Sequence, residues 1–306
     1  MENNISSGGD TRGRIEPAAA ALRGSFPAWY DYVVLLVLFG FAQMIVALVA
    51  SACGMTPEAL ATVNAGTADP DTLLSAQQTV ARATAAGYLV GMSVMVAMTL
   101  AYRRLRGGRR LGVRFSSAGG LNPLLLLGCI ATVVAWQVVL EPLVALLPGM
   151  PDYNFLGRGG WALMCTVVFA PVIEEYLFRG VVLESVRAKR GVVAAWCLSS
   201  VCFGVAHAMP AQIVATTVIG FVLGYAYLRS GSLMAGIAVH AMNNALAMLT
   251  LMLGPGVDVM LSDLLPQEVY RTVYAVSVAV VALWLWRACR YVAGMRRAEK
   301  SAACGQ

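Results

Sequence analysis

Eight stretches of this chain, at about 32–52, 83–102, 121–147, 161–186, 192–207, 211–228, 233–253 and 269–291, are long and almost wholly apolar. A hydrocarbon layer about 30 Å thick asks for about 20 apolar residues in each spanning helix. Inside that layer each crossing must satisfy its own backbone hydrogen bonds. Alternation with a period of two, the mark of a transmembrane barrel, is absent. Composition agrees: 59% of the 306 residues are hydrophobic and 12% are charged, against about 25% charged in soluble domains. The expected fold class is all-α, a polytopic membrane protein of about eight transmembrane helices.

Charge sets the expected orientation. Arg103, Arg104, Arg106, Arg109, Arg110 and Arg114 precede the third run, and Arg187, Lys189 and Arg190 precede the fifth. Arg229 precedes the seventh, while Arg287, Arg290, Arg296, Arg297 and Lys300 close the last. The ends between carry Glu58, Asp69 and Asp71, then Asp152 with Arg158, then Asp258, Asp263 and Glu268. Basic ends thus alternate with non-basic ones, which predicts both termini inside, N-in and C-in. The expected division is a disordered cytoplasmic tail at 1–28, an eight-helix membrane domain at 29–295 and a cytoplasmic tail at 296–306. The net charge of +6 does not argue for nucleic acid, because the arginines sit at the ends of apolar runs without interleaved aromatics. The expected surroundings are membrane lipids. Seven cysteines form no CxxC pair and read as small core residues rather than a disulfide framework.

Against this apolar background a few polar residues stand out. The stretch APVIEEYLFRG, 170–180, places Glu174, Glu175 and Arg179 inside the fourth run. One carboxylate at the centre of a membrane helix costs about 2.5–3.5 kcal/mol on insertion scales. Glu175 and Arg179 stand at i and i+4 with the acid N-terminal, the favoured order for a helical ion pair. Arg179 is therefore expected to neutralise and orient Glu175, leaving Glu174, on another face, for chemistry. The chain has two histidines, both in apolar runs. Phe203 precedes His207 by four and Asn244 follows His240 by four, so each pair shares a helix face; Asn243 is about 100° further round and less suited.

Depth decides whether these residues can meet. A hairpin folded at 189–191 puts Glu174 and His207 at one height, about 24 Å from the turn, whereas His240 is about 15 Å past the turn at 230–231. The mismatch of about 9 Å vanishes if the first hairpin projects into the cytosol. The connection at 207–210 would then lie within the bilayer, where it must be buried in protein or line water.

A carboxylate, two imidazoles and an amide suggest water activation, with a desolvated glutamate as general base. His240 and Asn244 are placed to donate to an oxyanion. The alternative is a zinc site made by Glu174, His207 and His240, with one position open. The HExxH spacing is absent, and the residues alone leave base and metal both open.

The order Glu174-Glu175-x-x-x-Arg179, Phe203-x-x-x-His207, His240-x-x-x-Asn244 resembles the three-motif signature of the CAAX protease and bacteriocin-processing (Abi) family. These are intramembrane endopeptidases related to the type II CAAX prenyl endopeptidases. The resemblance covers 160–254 and implies an eight-helix fold with a water-accessible cavity opening to the cytosol. It implies hydrolysis of peptide bonds in membrane-associated or lipidated protein or peptide substrates, at the plasma membrane. On that likeness Glu174 activates water with help from His207, and His240 and Asn244 serve the oxyanion. The expected catalytic set is Glu174, Glu175, His207, His240 and Asn244, supported by Arg179 and Phe203. No cofactor is expected, zinc being the alternative. The competing reading is a non-enzymatic immunity or scaffold protein whose Glu–Arg and His cluster is structural. A proton-coupled transporter would call for repeated halves or broken helix pairs, which the sequence lacks.

Overall fold

The computed structural model describes residues 26–107, 121–147, 159–207, 209–253 and 260–304. The expected tail at 1–28 lies outside the described residues except for its last three positions, and Arg109, Arg110, Arg114, Asp152, Arg158 and Asp258 lie outside them as well. Every regular element among the described residues is helical. α1 is Trp29–Ala52, α2 the short Pro57–Ala65, α3 Pro70–Leu105 and α4 Pro123–Val144. The helical stretch Gly160–Val205 is broken at Gly191, whose φ of 79° is left-handed, giving α5 (160–190) and α6 (192–205). α7 is Pro210–Ser230, α8 Leu233–Leu253, α9 the single turn Leu261–Leu264 and α10 Gln267–Cys304.

Seven continuous helices are long and apolar enough to cross a membrane. Gly191 divides one of them, so eight apolar segments result, and the hairpin expected at 189–191 turns at the residue that best tolerates a positive φ. Two bounds differ from the sequence reading. α3 begins at Pro70 rather than near 83, because Asp69 caps it: its carboxylate accepts from Thr72 N–H at 3.1 Å with Pro70 following. The bonds from Thr72 hold the Asp69 carboxyl below the usual carboxylate range. At the other end, α10 continues as helix to Cys304 through most of the stretch expected to be a cytoplasmic tail, 296–306. Its Glu299 accepts from Arg187 Nε at 2.8 Å and from Val192 N–H at 3.0 Å. Val192 opens α6, where the first N–H groups lack intrahelical partners, so Glu299 caps that helix from a distance.

Side chains on α1 such as Leu36, Val37, Met44 and Leu48 are exposed, as expected of a lipid-facing surface. The inner face of α1 meets α3 across small residues. A Cβ on Gly87 would collide with the Val46 carbonyl, and one on Gly91 would come 2.9 Å from the Ala42 carbonyl. These glycines form a GxxxG pair that lets two backbones approach closely. The seam is locked at one end by Asp31, which is wholly buried and accepts from Tyr102 Oη at 2.6 Å and Arg106 Nε at 3.1 Å. Arg103 Nε donates to Ser185 Oγ at 3.0 Å, tying α3 to α5 in parallel. The largest core cluster lies among α5, α6, α7 and α8, with Leu183, Phe203, Leu223 and Leu233 buried.

Candidate active site

α5 is not a regular α-helix around its two glutamates. Met164–Phe169 and Tyr176–Leu183 are π-helical and flank the α-helical turns Ala170–Glu175. Such π segments in longer helices recur at functional sites. The first has a visible cause and a consequence. Ala170 N–H donates to Cys165 O, so Thr166 O would wait for the N–H of residue 171, which is a proline and has none. Asn244 Nδ2 fills the position, donating to Thr166 O at 2.8 Å. Asn243 Nδ2 then donates to Asn244 Oδ1 at 3.0 Å, and Gln137 Nε2 to Asn243 Oδ1 at 2.8 Å. Asn243, about 100° round the helix from Asn244, thus joins the network. Gln137 makes the helix–helix contact typical of membrane amides.

Glu175 and Arg179 pair as expected. Arg179 Nη1 donates to Glu175 Oε1 at 2.8 Å and Nη2 to Gly220 O at 3.0 Å, both side chains being wholly buried. The guanidinium also lies 4.6 Å from the Phe203 ring centre, a cation–π contact in a dry setting. Glu175 Oε2 has no hydrogen-bond partner among the described residues and rests against Gly236, where a Cβ would stand 2.6 Å from that oxygen.

His240 bridges the two glutamates. Its Nδ1 is 3.2 Å from Glu175 Oε1 and its Nε2 3.9 Å from Glu174 Oε2. A carboxylate paired with guanidinium only accepts, so Nδ1 donates to Glu175. Glu174, 13% exposed, is not left unattended. Tyr88 Oη of α3 donates to its Oε1 at 2.5 Å, a partner 86 positions away that no spacing within the motif announces. His207 Nδ1 is 2.9 Å from the Phe203 carbonyl; a carbonyl only accepts, so Nδ1 carries a proton and donates it there. The Phe203 ring lies 5.0 Å from the His207 ring and 5.5 Å from that of His240. His207 forms no ion pair with either glutamate among the described residues; it joins the cluster through Phe203. Six of the seven expected site residues are therefore linked around Phe203 and His240, and Asn244 is held one turn away on Thr166.

A zinc ion on Glu174, His207 and His240 does not fit this arrangement. One Phe203 ring packs against both imidazoles, and among the described residues no three His, Cys, Asp or Glu side chains converge on a point. A cavity of about 660 Å³ lies along the same helices, lined by Ser75, Gln78, Arg82 and Trp161 among others. On α5 its nearest lining residue, Met164, stands about 15 Å of helix rise before Glu174.

Residues 158–246 match the family described as Rce1-like, type II CAAX prenyl endopeptidase. The Bacillus subtilis (strain 168) protein named "Putative membrane peptidase YdiL" is 28% identical over 82 residues, which cover 27% of this chain and 34% of that protein. The chain thus matches about a third of the length of that curated relative. No solved structure matches the chain. All three motifs and every side chain of the Glu–Arg–His cluster fall within the matched residues. Residues 158–246 of this multi-pass membrane protein thus match the Rce1-like, type II CAAX prenyl endopeptidase family that its motifs resemble.

Proposed function

We propose that the chain is an intramembrane endopeptidase that hydrolyses peptide bonds of membrane-associated or lipidated protein or peptide substrates, using water activated by Glu174, at the plasma membrane. One observation carries the reading. Two adjacent glutamates have different partners: Glu175 is spent on Arg179, while Glu174 keeps Oε2 facing His240 Nε2 at 3.9 Å. A buried pair held by guanidinium is structural, and a second carboxylate beside it costs too much to keep without use.

These contacts support the following reaction. Glu174 takes a proton from water as the oxygen attacks the scissile carbonyl, and later returns it to the leaving amine. His207, with Nδ1 held on the Phe203 carbonyl, offers Nε2 as a second proton acceptor. With Nδ1 of His240 on Glu175, donation from Nε2 to the oxyanion needs the doubly protonated ring. Asn244 supports this geometry through Thr166 and has a second N–H to offer. No step passes through a metal.

New protein termini compared between cells expressing the wild type and Glu174→Gln, at matched membrane levels, test the proposal. Termini present only with the wild type establish a peptidase, and their flanking residues define the substrate class. Identical termini in the two strains would sink it.

A further inference from the structure

We infer that Tyr88 is a positioning residue for Glu174, so that the site is completed by α3, a helix outside the segment that carries the three motifs. The inference rests on the endopeptidase reading for its kinetic consequence but not for its geometry. Tyr88 Oη donates to Glu174 Oε1 at 2.5 Å, within the range of a charge-assisted O–H···O⁻ bond. A glutamate has three side-chain torsions, and an unpinned carboxylate would sample several placements. With Oε1 held from one side by Tyr88, Oε2 is turned towards His240 Nε2, 3.9 Å away. That separation exceeds a direct hydrogen bond, so His240 does not itself fix the carboxylate. Arg179 makes no hydrogen bond to Glu174 either: Nη1 donates to Glu175, Nη2 to Gly220, and the buried Nε has no partner among the described residues.

The tyrosine is itself placed by packing. Gly87 and Gly91 press α3 against α1 at Val46 and Ala42, which fixes the rotation of α3 about its axis. Tyr88 follows Gly87 by one residue, about 100° round the helix, and so faces α5 instead of α1. The Arg103–Ser185 bond holds the same two helices in register further along, fifteen residues beyond Tyr88 on α3 and eleven beyond Glu174 on α5. Neither Tyr88 nor its glycine neighbours belong to residues 158–246, and in the sequence Tyr88 looks like one more aromatic in an apolar run.

Tyr88→Phe keeps the ring and removes only the donor. Purified wild type, Y88F and E174Q in lipid vesicles, with a peptide found by the terminus comparison, give the kinetic arm. Y88F is expected to lower kcat on the order of 10- to 100-fold, the scale of a small misplacement of a reacting group, with KM unchanged. A Y88F enzyme with wild-type kcat would overturn the inference. The second arm needs no turnover. Infrared spectra of protein labelled with carbon-13 in its glutamate carboxyls contain a carboxylate band that E174Q removes; in Y88F that band is expected to shift in frequency. An unshifted band overturns the Tyr88–Glu174 link, whatever the activity. If the wild type cleaves nothing, the endopeptidase reading falls while the infrared arm still decides the role of Tyr88.

Discussion

Gly236 shows how much one missing methyl group can control. It packs where a Cβ would stand 2.6 Å from Glu175 Oε2, and the wholly buried carboxylate has nowhere to retreat, being held by Arg179 and His240. Alanine is a better helix former than glycine by about 1 kcal/mol, so on propensity alone Gly236→Ala should stabilise α8. We expect the reverse: crowding of about 1–3 kcal/mol plus a disturbed ion pair should lower the thermal unfolding temperature and the activity together. A variant as stable as the wild type would show that the carboxylate is not seated against that glycine. At this scale the i, i+4 pairing of Glu175 with Arg179 was legible, because both partners lie on one helix. The bond from Tyr88 to Glu174 was not, because its partners are brought together only by packing of α3 on α5.

The hydrogen-bond ladder of α5 is interrupted just before its two glutamates. Pro171 supplies no N–H, Ala170 reaches back to Cys165, and the spare Thr166 carbonyl is taken by Asn244 of α8. The asparagine of the third motif thereby has a structural duty that its spacing from His240 did not announce. Asn244→Ala should cost about 1 kcal/mol, the penalty of stranding a part-buried acceptor. Pro171→Ala restores an N–H that can reach Thr166, so the cost of Asn244→Ala should shrink in that background. Unfolding measurements on the two single variants and the double variant check this. Strictly additive costs would mean that the two residues do not share the carbonyl. The expected C-terminal tail gives a second lesson at this scale. Glu299 lies in the stretch expected to be a cytoplasmic tail, and it caps α6 and pairs with Arg187, a duty visible only once α10 lies beside the 190–192 turn.

Across the whole molecule, orientation is the property that charge predicts and packing does not address. The reading with both termini inside places Cys53, which caps the end of α1, outside and Cys304, which ends α10, inside; neither is in a disulfide. In single-cysteine variants, a membrane-impermeant maleimide should label Cys53 in intact cells and Cys304 only after permeabilisation. The opposite pattern would overturn N-in and C-in. The same layout puts the Asp31–Arg106, Arg103–Ser185 and Arg187–Glu299 contacts at one end of the bundle, the end that the positive-inside rule assigns to the cytosol.

Sequence by itself determined the helical membrane class, the number of apolar segments, the Glu175–Arg179 pair and the family resemblance. Each depends on composition or on residues within one helix, where 1.5 Å of rise and 100° of turn per residue fix the relation. Tertiary structure alone decided that Tyr88 holds Glu174, that Gly236 makes room for Glu175, and that Asn244 serves a carbonyl freed by Pro171. It also decided that His207 reaches the cluster through Phe203 and not through a carboxylate. Those relations join residues on different helices, and in an apolar bundle the contact between helices is set by small residues and packing, which one-dimensional spacing does not encode.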